Sequence, residues 1–277
     1  MTATLMMAAE YLSHKYTLPK KFPELPMADE DFISAWSAKE KFDVLRFLSR
    51  KFFLPTENFD WENVAALRIE FKQTLGGRLP VISTANHDDF CQMAALLTGR
   101  ELKKYPLTVN AFTIPCRAAK IYRHRVILLN AAPYSNIAAE KIGLSVEDWL
   151  KKSYQIRLRH EAAHYETLRL LGGMKNHALD EILADCLGQI AAFGEFSAPR
   201  QRIFFGLTKG GSYCDGRLNF YCQKVLPTDL PKIYRAVDKH LDEVELMSKN
   251  ATNEFELFKV LASRAILPAA NLSLQEK

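Results

Sequence analysis

No CxxC pair occurs among the five cysteines (Cys91, Cys116, Cys186, Cys214 and Cys222), which are odd in number and widely spaced. That pattern excludes a disulfide framework and a cysteine-rich zinc knuckle, and it fits a reduced, cytoplasmic compartment. No window reaches the roughly 18 uninterrupted apolar residues of a membrane-spanning helix, so no membrane span is expected. The opening stretch MTATLMMAAEYLSHKY holds a short apolar run, but no basic residues precede it and Glu10 closes it. A secretory leader is therefore not expected. Blocks of like charge are missing too. Lys and Arg number 37 against 32 Asp and Glu, for a net charge of +5, and they are spread along the chain. That is a solvated surface rather than a nucleic-acid footprint, so no nucleic-acid partner is expected. Repeats and low-complexity tracts are also absent. What remains is 277 residues, 48% hydrophobic and 25% charged, enough for a proper core in one large domain or two small ones.

Apolar spacing divides the chain into helical blocks around a β-rich centre. Phe32, Ile33, Trp36, Phe42, Val44, Leu45 and Leu48 fall at helical intervals between Asp29 and Phe53, and Pro55 ends the pattern. A second helix is expected over Trp61–Leu75, stopped by Gly76-Gly77. Leu79–Thr84 reads as a strand, then Asn86 and its acidic neighbours cap a helix at Phe90–Leu97. Strands are expected at Leu107–Phe112, Lys120–Tyr122 and Val126–Asn130. Ser145-Val146-Glu147-Asp148 resembles a capping box and opens a long helix that Gly172-Gly173 stops. His177–Phe193 forms the next helix. The stretch Ile203–Cys222 reads as loop or hairpin, Ile233–Leu261 as helical, and the tail beyond Pro268 as loose. The expected class is α+β, mainly helical, with a small mixed or antiparallel sheet preceding the long helix. The expected division is an N-terminal helical region at 1–77, a catalytic domain at 78–225 and a C-terminal helical region and tail at 226–277, or all of these as one compact domain.

The chemistry sits in Arg159-His160-Glu161-Ala162-Ala163-His164-Tyr165, an H-E-x-x-H sequence. Residues four apart on a helix lie one above the other, with Cβ atoms about 5–6 Å apart. Both imidazoles can then reach one metal ion at the ~2.0–2.1 Å of a zinc–nitrogen bond. Glu161 points about 100° further round, which lets it miss the metal yet reach a water on it as general base. In the next helix His177, Glu181 and Asp185 follow at intervals of four, with Asp180 beside them. A carboxylate on a nearly buried helix is costly unless it meets a cation or good hydrogen bonds. Simple hairpin geometry brings Asp185 nearer the histidines: the long helix rises about 12 Å from His164 to Gly172, and the next descends only about 7–8 Å to Glu181. Splayed helices and the longer Glu side chain can close that gap, so the spacing leaves both Glu181 and Asp185 open as a third ligand.

His160-Glu161-x-x-His164 followed by Glu181-x-x-Ala184-Asp185 resembles the gluzincin branch of the zincin metallopeptidases. The E-x-x-A-D form is similar to the membrane-bound CAAX-processing peptidases and their heat-shock relatives. The resemblance spans roughly Lys120 to Phe193. It implies a zincin-like catalytic domain in which His160, His164 and Glu181 bind zinc, Glu161 is the base, and Asp185 steadies one histidine from behind. It also implies a peptide substrate laid along a sheet edge by β-augmentation, with Val126–Asn130 the expected edge.

A peptidase further needs a group to stabilise the oxyanion of its tetrahedral intermediate, and Tyr213, Tyr221 and His177 are candidates by type and position. The resulting expectation is a soluble, cytoplasmic, zinc-dependent metallopeptidase acting on a peptide or protein. The alternatives are a non-haem iron protein built on two histidines and a carboxylate, and a non-enzymatic binding protein on a zincin-like scaffold.

Overall fold

A computed structural model of the chain describes residues 5–36, 43–116 and 125–267. In chain order these form α1 (Ala8–Leu12), α2 (Ile33–Trp36), α3 (Val44–Phe52), β1 (Arg68–Thr74), β2 (Gly77–Thr84) and α4 (His87–Thr98). There follow β3 (Ala111–Pro115), β4 (Arg125–Asn130), α5 (Val146–Leu171), α6 (Ala178–Phe193) and α7 (Ala198–Phe205). The short α8 (Leu218–Tyr221), α9 (Leu230–Asn250) and α10 (Glu254–Ser263) complete the set. The class is α+β: helices predominate, and a small four-stranded mixed sheet precedes α5. Among the described residues no helix is long and apolar enough to cross a membrane. The chain divides into two compact units, Pro23–Leu170 and Met1–Phe22 with Leu171–Lys277.

In the Pro23–Leu170 unit the strand order is β1-β2-β4-β3, with β1/β2 and β3/β4 antiparallel and β2/β4 parallel. The strand register sorts the side chains by face. Ser83, Ile127 and Thr113 project from one side, where Ser83 meets Tyr154 of α5 and Thr113 meets Glu161 of α5. Ile82, Leu128 and Phe112 project from the other, where Phe112 stacks on Phe90 of α4 with ring centroids 5.3 Å apart. With a helix on each face, Val126–Leu129 of β4 are fully buried.

Local chemistry sets these boundaries. Asn86 caps α4 by accepting from the Asp89 amide at 2.8 Å, and Asp89 in turn accepts from the amides of Glu62 and Asn63. Ser145 opens α5 by accepting from the Asp148 amide at 3.1 Å, and Gly172, at φ 75°, closes it. The tip of the β1/β2 hairpin is tied to α5: the Leu75 amide donates to Glu166 at 2.9 Å. A Cβ on Gly76 would sit 3.1 Å from the Arg169 side chain of α5, so a larger residue at the tip would make that side chain shift by a few tenths of an ångström.

Several expectations are corrected. The helix expected at Trp61–Leu75 is in fact β1 preceded by short 3-10 turns. Arg68–Thr74 pairs residue for residue with Gly77–Ser83, and Gly76-Gly77, read as a helix stop, lies at the hairpin turn, with Gly77 at φ 101°. The helix expected across Asp29–Phe53 is interrupted, because Asp43 has extended φ/ψ and caps a new helix, accepting from the Arg46 amide; residues 37–42 lie outside the described residues. The strand expected at Leu107–Phe112 begins later, at Ala111, because a turn occupies Leu107-Thr108. The strand expected at Lys120–Tyr122 and the tail beyond Pro268 lie outside the described residues. Finally, β4 is not an edge. It is paired on both sides, and among the described residues the sheet edges are β1 and β3.

In the other unit, α6, α9 and α10 pack mutually, α7 packs on α9, and α1 packs on α9. The stretch Ile203–Cys222 holds the end of α7, a tight turn closed by a Leu207–Tyr213 bridge, and α8. The helical stretch expected at Ile233–Leu261 is two helices, divided where Asn253 caps α10 by accepting from the Glu256 amide. All five cysteines are free thiols, and only Cys214 is exposed.

Candidate metal centre

The H-E-x-x-H residues lie in the fully buried middle of α5, with His160, Glu161 and His164 5%, 6% and 8% exposed. One helical turn separates the two imidazoles, and their Nε2 atoms stand 3.0 Å apart. Two ligands held at ~2.05 Å on a tetrahedral ion are separated by about 3.3 Å. The pair therefore needs to open by only a few tenths of an ångström to share an ion, and without one it shares a single proton as a hydrogen bond.

Two of these side chains, His160 and Glu161, are held from behind within the same unit. The Tyr134 hydroxyl lies 3.1 Å from Nδ1 of His160, on the ring edge opposite His164. The Thr113 hydroxyl donates to Oε2 of Glu161 at 2.8 Å and to its carbonyl oxygen at 2.9 Å. One proton thus serves two acceptors and fixes the carboxylate against the helix. Thr113 belongs to the edge strand β3. The Asn130 amide donates to the Asn110 carbonyl directly opposite, so 110/130 is a hydrogen-bonded pair. Such pairs alternate in an antiparallel ladder, and the N–H and C=O of Ala111 and Thr113 therefore face away from β4. Among the described residues, none takes up these outward groups.

The carboxylates of α6 belong to the other unit. Glu181 is 6% exposed and Asp185 wholly buried. Asp185 accepts from the Gln201 side-chain amide and from Arg217. The other terminal nitrogen of Arg217 stands 4.0 Å from Glu181, so one guanidinium spans both carboxylates. The Tyr221 hydroxyl hydrogen-bonds Glu181, and its pKa is pushed well above the ordinary value by burial first, then by the negative charge of Glu181.

The other candidates from the sequence have defined places. His177 caps α6: its Nδ1 accepts from the Leu179 amide at 3.0 Å and its Nε2 meets the Tyr11 carbonyl at 3.0 Å. Burial, reinforced by nearby His14, pulls its pKa down to about 3, so the ring is neutral and both nitrogens are occupied. The Tyr213 hydroxyl donates to the Gly216 carbonyl at 2.6 Å and accepts from its amide at 2.9 Å, which pins the turn at Asp215-Gly216. Of the three oxyanion candidates, Tyr221 is the one placed on Glu181. His14, His177 and Asp180 also offer three ligating atoms within 4.8 Å of one another. Both His177 nitrogens are already engaged, however, and the Lys175 ammonium lies 3.4 Å from His14, which is a poor setting for a cation.

Sequence reasoning missed Tyr134, Thr113 and Arg217. Pro133-Tyr134-Ser135 carries only a turn signal, Thr113 is an ordinary strand residue, and Arg217 follows a turn with no motif around it.

Residues 108–266, more than half of the chain and including every residue of the candidate centre, match the model of a family of unknown function (DUF7005), and the chain belongs to that family. No curated protein and no solved structure matches it.

Proposed function

We propose that this chain is a zinc-dependent peptidase of the cytoplasm, with His160, His164 and Glu181 as the metal ligands and Glu161 as the general base. The observation that carries the reading is the pair of buried imidazoles with Nε2 atoms 3.0 Å apart and a buried carboxylate fixed next to them by Thr113. Glu181 adds a third buried side chain, and the three are of the kind and number that hold one metal ion. Asp185, occupied by Gln201 and Arg217, fits a supporting role better than a ligand's.

A divalent ion at such a centre polarises a carbonyl and lowers the pKa of water to ~7. The chain's own residues do the rest. Glu161 takes the proton of the attacking water and delivers it to the leaving amine. Tyr221 is the candidate donor to the oxyanion. An extended peptide adds to β3, pairing with the outward N–H and C=O of Ala111 and Thr113. The evenly spread charge supports a peptide rather than a nucleic acid as substrate.

The deciding experiment is metal analysis by mass spectrometry on protein purified without added metal, beside His164→Ala and Glu181→Gln. About one zinc per chain, lost in both variants, is the expected result. Glu161→Gln should keep the zinc and lose turnover on a mixed library of unstructured peptides. Iron in place of zinc would favour an oxygenase-type centre, and no metal after zinc is offered would end the proposal.

A further inference from the structure

Tyr134 is delivered to His160 by a loop built for the purpose. Residues 134–136 follow β4, and Ser135 and Asn136 are consecutive non-glycine residues with φ of 53° and 55°. Left-handed backbone at two such residues in a row is costly and persists only where the surroundings impose it. Here the surroundings are α5 itself. The Tyr134 amide donates to the Ser153 hydroxyl at 2.9 Å, and Ser153 is fully buried. Arg157 donates to the carbonyls of Pro133, at 2.6 Å, and Asn130, at 3.3 Å, and its guanidinium lies 5.7 Å from the centre of the Tyr134 ring. Ser153, Arg157 and His160 succeed one another along one side of the same helix. The loop is therefore clamped on the two turns preceding His160, and the phenol ends at Nδ1 of that residue.

We propose that Tyr134 is a positioning residue that presets the His160 tautomer: its phenol oxygen accepts from Nδ1–H, so that Nε2 carries the lone pair on the side facing His164. An imidazole that ligates through one nitrogen commonly donates its other N–H to a fixed oxygen, and that partner sets both ring orientation and tautomer. A phenol does so here without adding a formal charge. This inference rests on the metal reading above for its purpose, but its geometry stands without an ion.

The test uses the full chain. Long-range proton–nitrogen NMR on metal-free protein, with His160→Ala to assign the signals, reports which nitrogen of His160 is protonated. Zinc affinity is read by competition with a chromophoric chelator. The wild type should show the Nδ1–H form. Tyr134→Phe keeps the ring over Arg157 and removes only the hydroxyl; it should lose that preference and bind zinc about 10-fold or more weaker. Ser153→Ala, which loosens the loop but leaves the phenol, should move both readouts in the same direction by less. An Nε2–H form in the wild type, or a Tyr134→Phe variant with unchanged tautomer, would overturn the assignment. If the wild type binds no zinc, the metal reading fails and the tautomer alone decides the role of Tyr134.

Discussion

Replacing Thr113 with valine would isolate the contribution of one hydroxyl to the proposed base. Valine keeps the β-branched outline and the strand propensity of the edge strand, so the backbone of β3 should be unmoved. What disappears is the single proton shared by Oε2 and the carbonyl oxygen of Glu161. Glu161 is 6% exposed, so little water can replace it. A hydrogen bond to a buried charged group contributes about 1.5–3 kcal/mol. If that energy holds the carboxylate where it must take a proton, its loss is a loss of transition-state stabilisation, equal to about 10- to 150-fold in kcat. KM and zinc content should stay at wild-type values, because neither the outward backbone of β3 nor the imidazoles change. The assay is steady-state cleavage of a quenched fluorescent peptide selected from the library above, with zinc quantified on the same samples and Thr113→Ser as the rescue. Wild-type kcat in Thr113→Val would refute the assignment of Glu161 as a base positioned by Thr113. A parallel loss of zinc would instead mean that Thr113 supports the ligand pair.

The two carboxylates of α6 should separate cleanly: Glu181→Gln loses zinc, whereas Asp185→Asn retains it at lower affinity. Asp185→Asn should also lower thermal stability by about 1–3 kcal/mol, because it removes the carboxylate that Arg217 bonds directly and leaves it Glu181 at 4.0 Å, a shift in Tm of about 2–12 °C; zinc lost in Asp185→Asn but kept in Glu181→Gln would make Asp185 the ligand. Stability should also fall on the acid side through His177. Its imidazole is held neutral in the folded chain, at about 3 against an ordinary 6.5, so the unfolded chain binds the proton more readily. Its contribution is complete above about pH 6.5 and declines as pH falls towards about 3, by about 1.4 kcal/mol per pH unit. His177→Asn, which can still cap α6, should flatten that slope in thermal melts between pH 6.5 and 4, and an unchanged slope would mean that His177 is not the group responsible.

The most legible parts of this chain are those in which one local pattern decides the structure. The α5 helix has a side-chain cap at Ser145, a long amphipathic run and a glycine stop, and all three are readable in order. The β2 and β4 strands announce themselves by apolar, β-branched runs. β1 does not, because an edge strand buries little: only Ile69 and Phe71 carry its apolar signal, and a Gly-Gly pair after it serves a helix end or a hairpin equally well. The place of β4 was in principle readable. Val126-Ile127-Leu128-Leu129 is an unbroken apolar run, which is the mark of a strand covered on both faces rather than one at an edge. The residues of the candidate centre divide the same way. His160, Glu161 and His164 lie within five consecutive residues, and helical periodicity alone brings them together. Tyr134 and Thr113 reach them only through the loop after β4 and the pairing of β3, and no spacing rule spans those connections.

Thr113 faces two ways, and that has a consequence for specificity. Its side chain fixes Glu161, while its own N–H and C=O point away from β4, on a side of β3 that no described residue pairs with. A peptide added to that edge would be measured like cloth against a rule whose zero mark is the base itself. The bond to be cut would be chosen by counting peptide units from Thr113, not by reading side chains. Such an enzyme would tolerate many sequences yet be stopped by one N-methyl group or one proline at the position opposite Thr113.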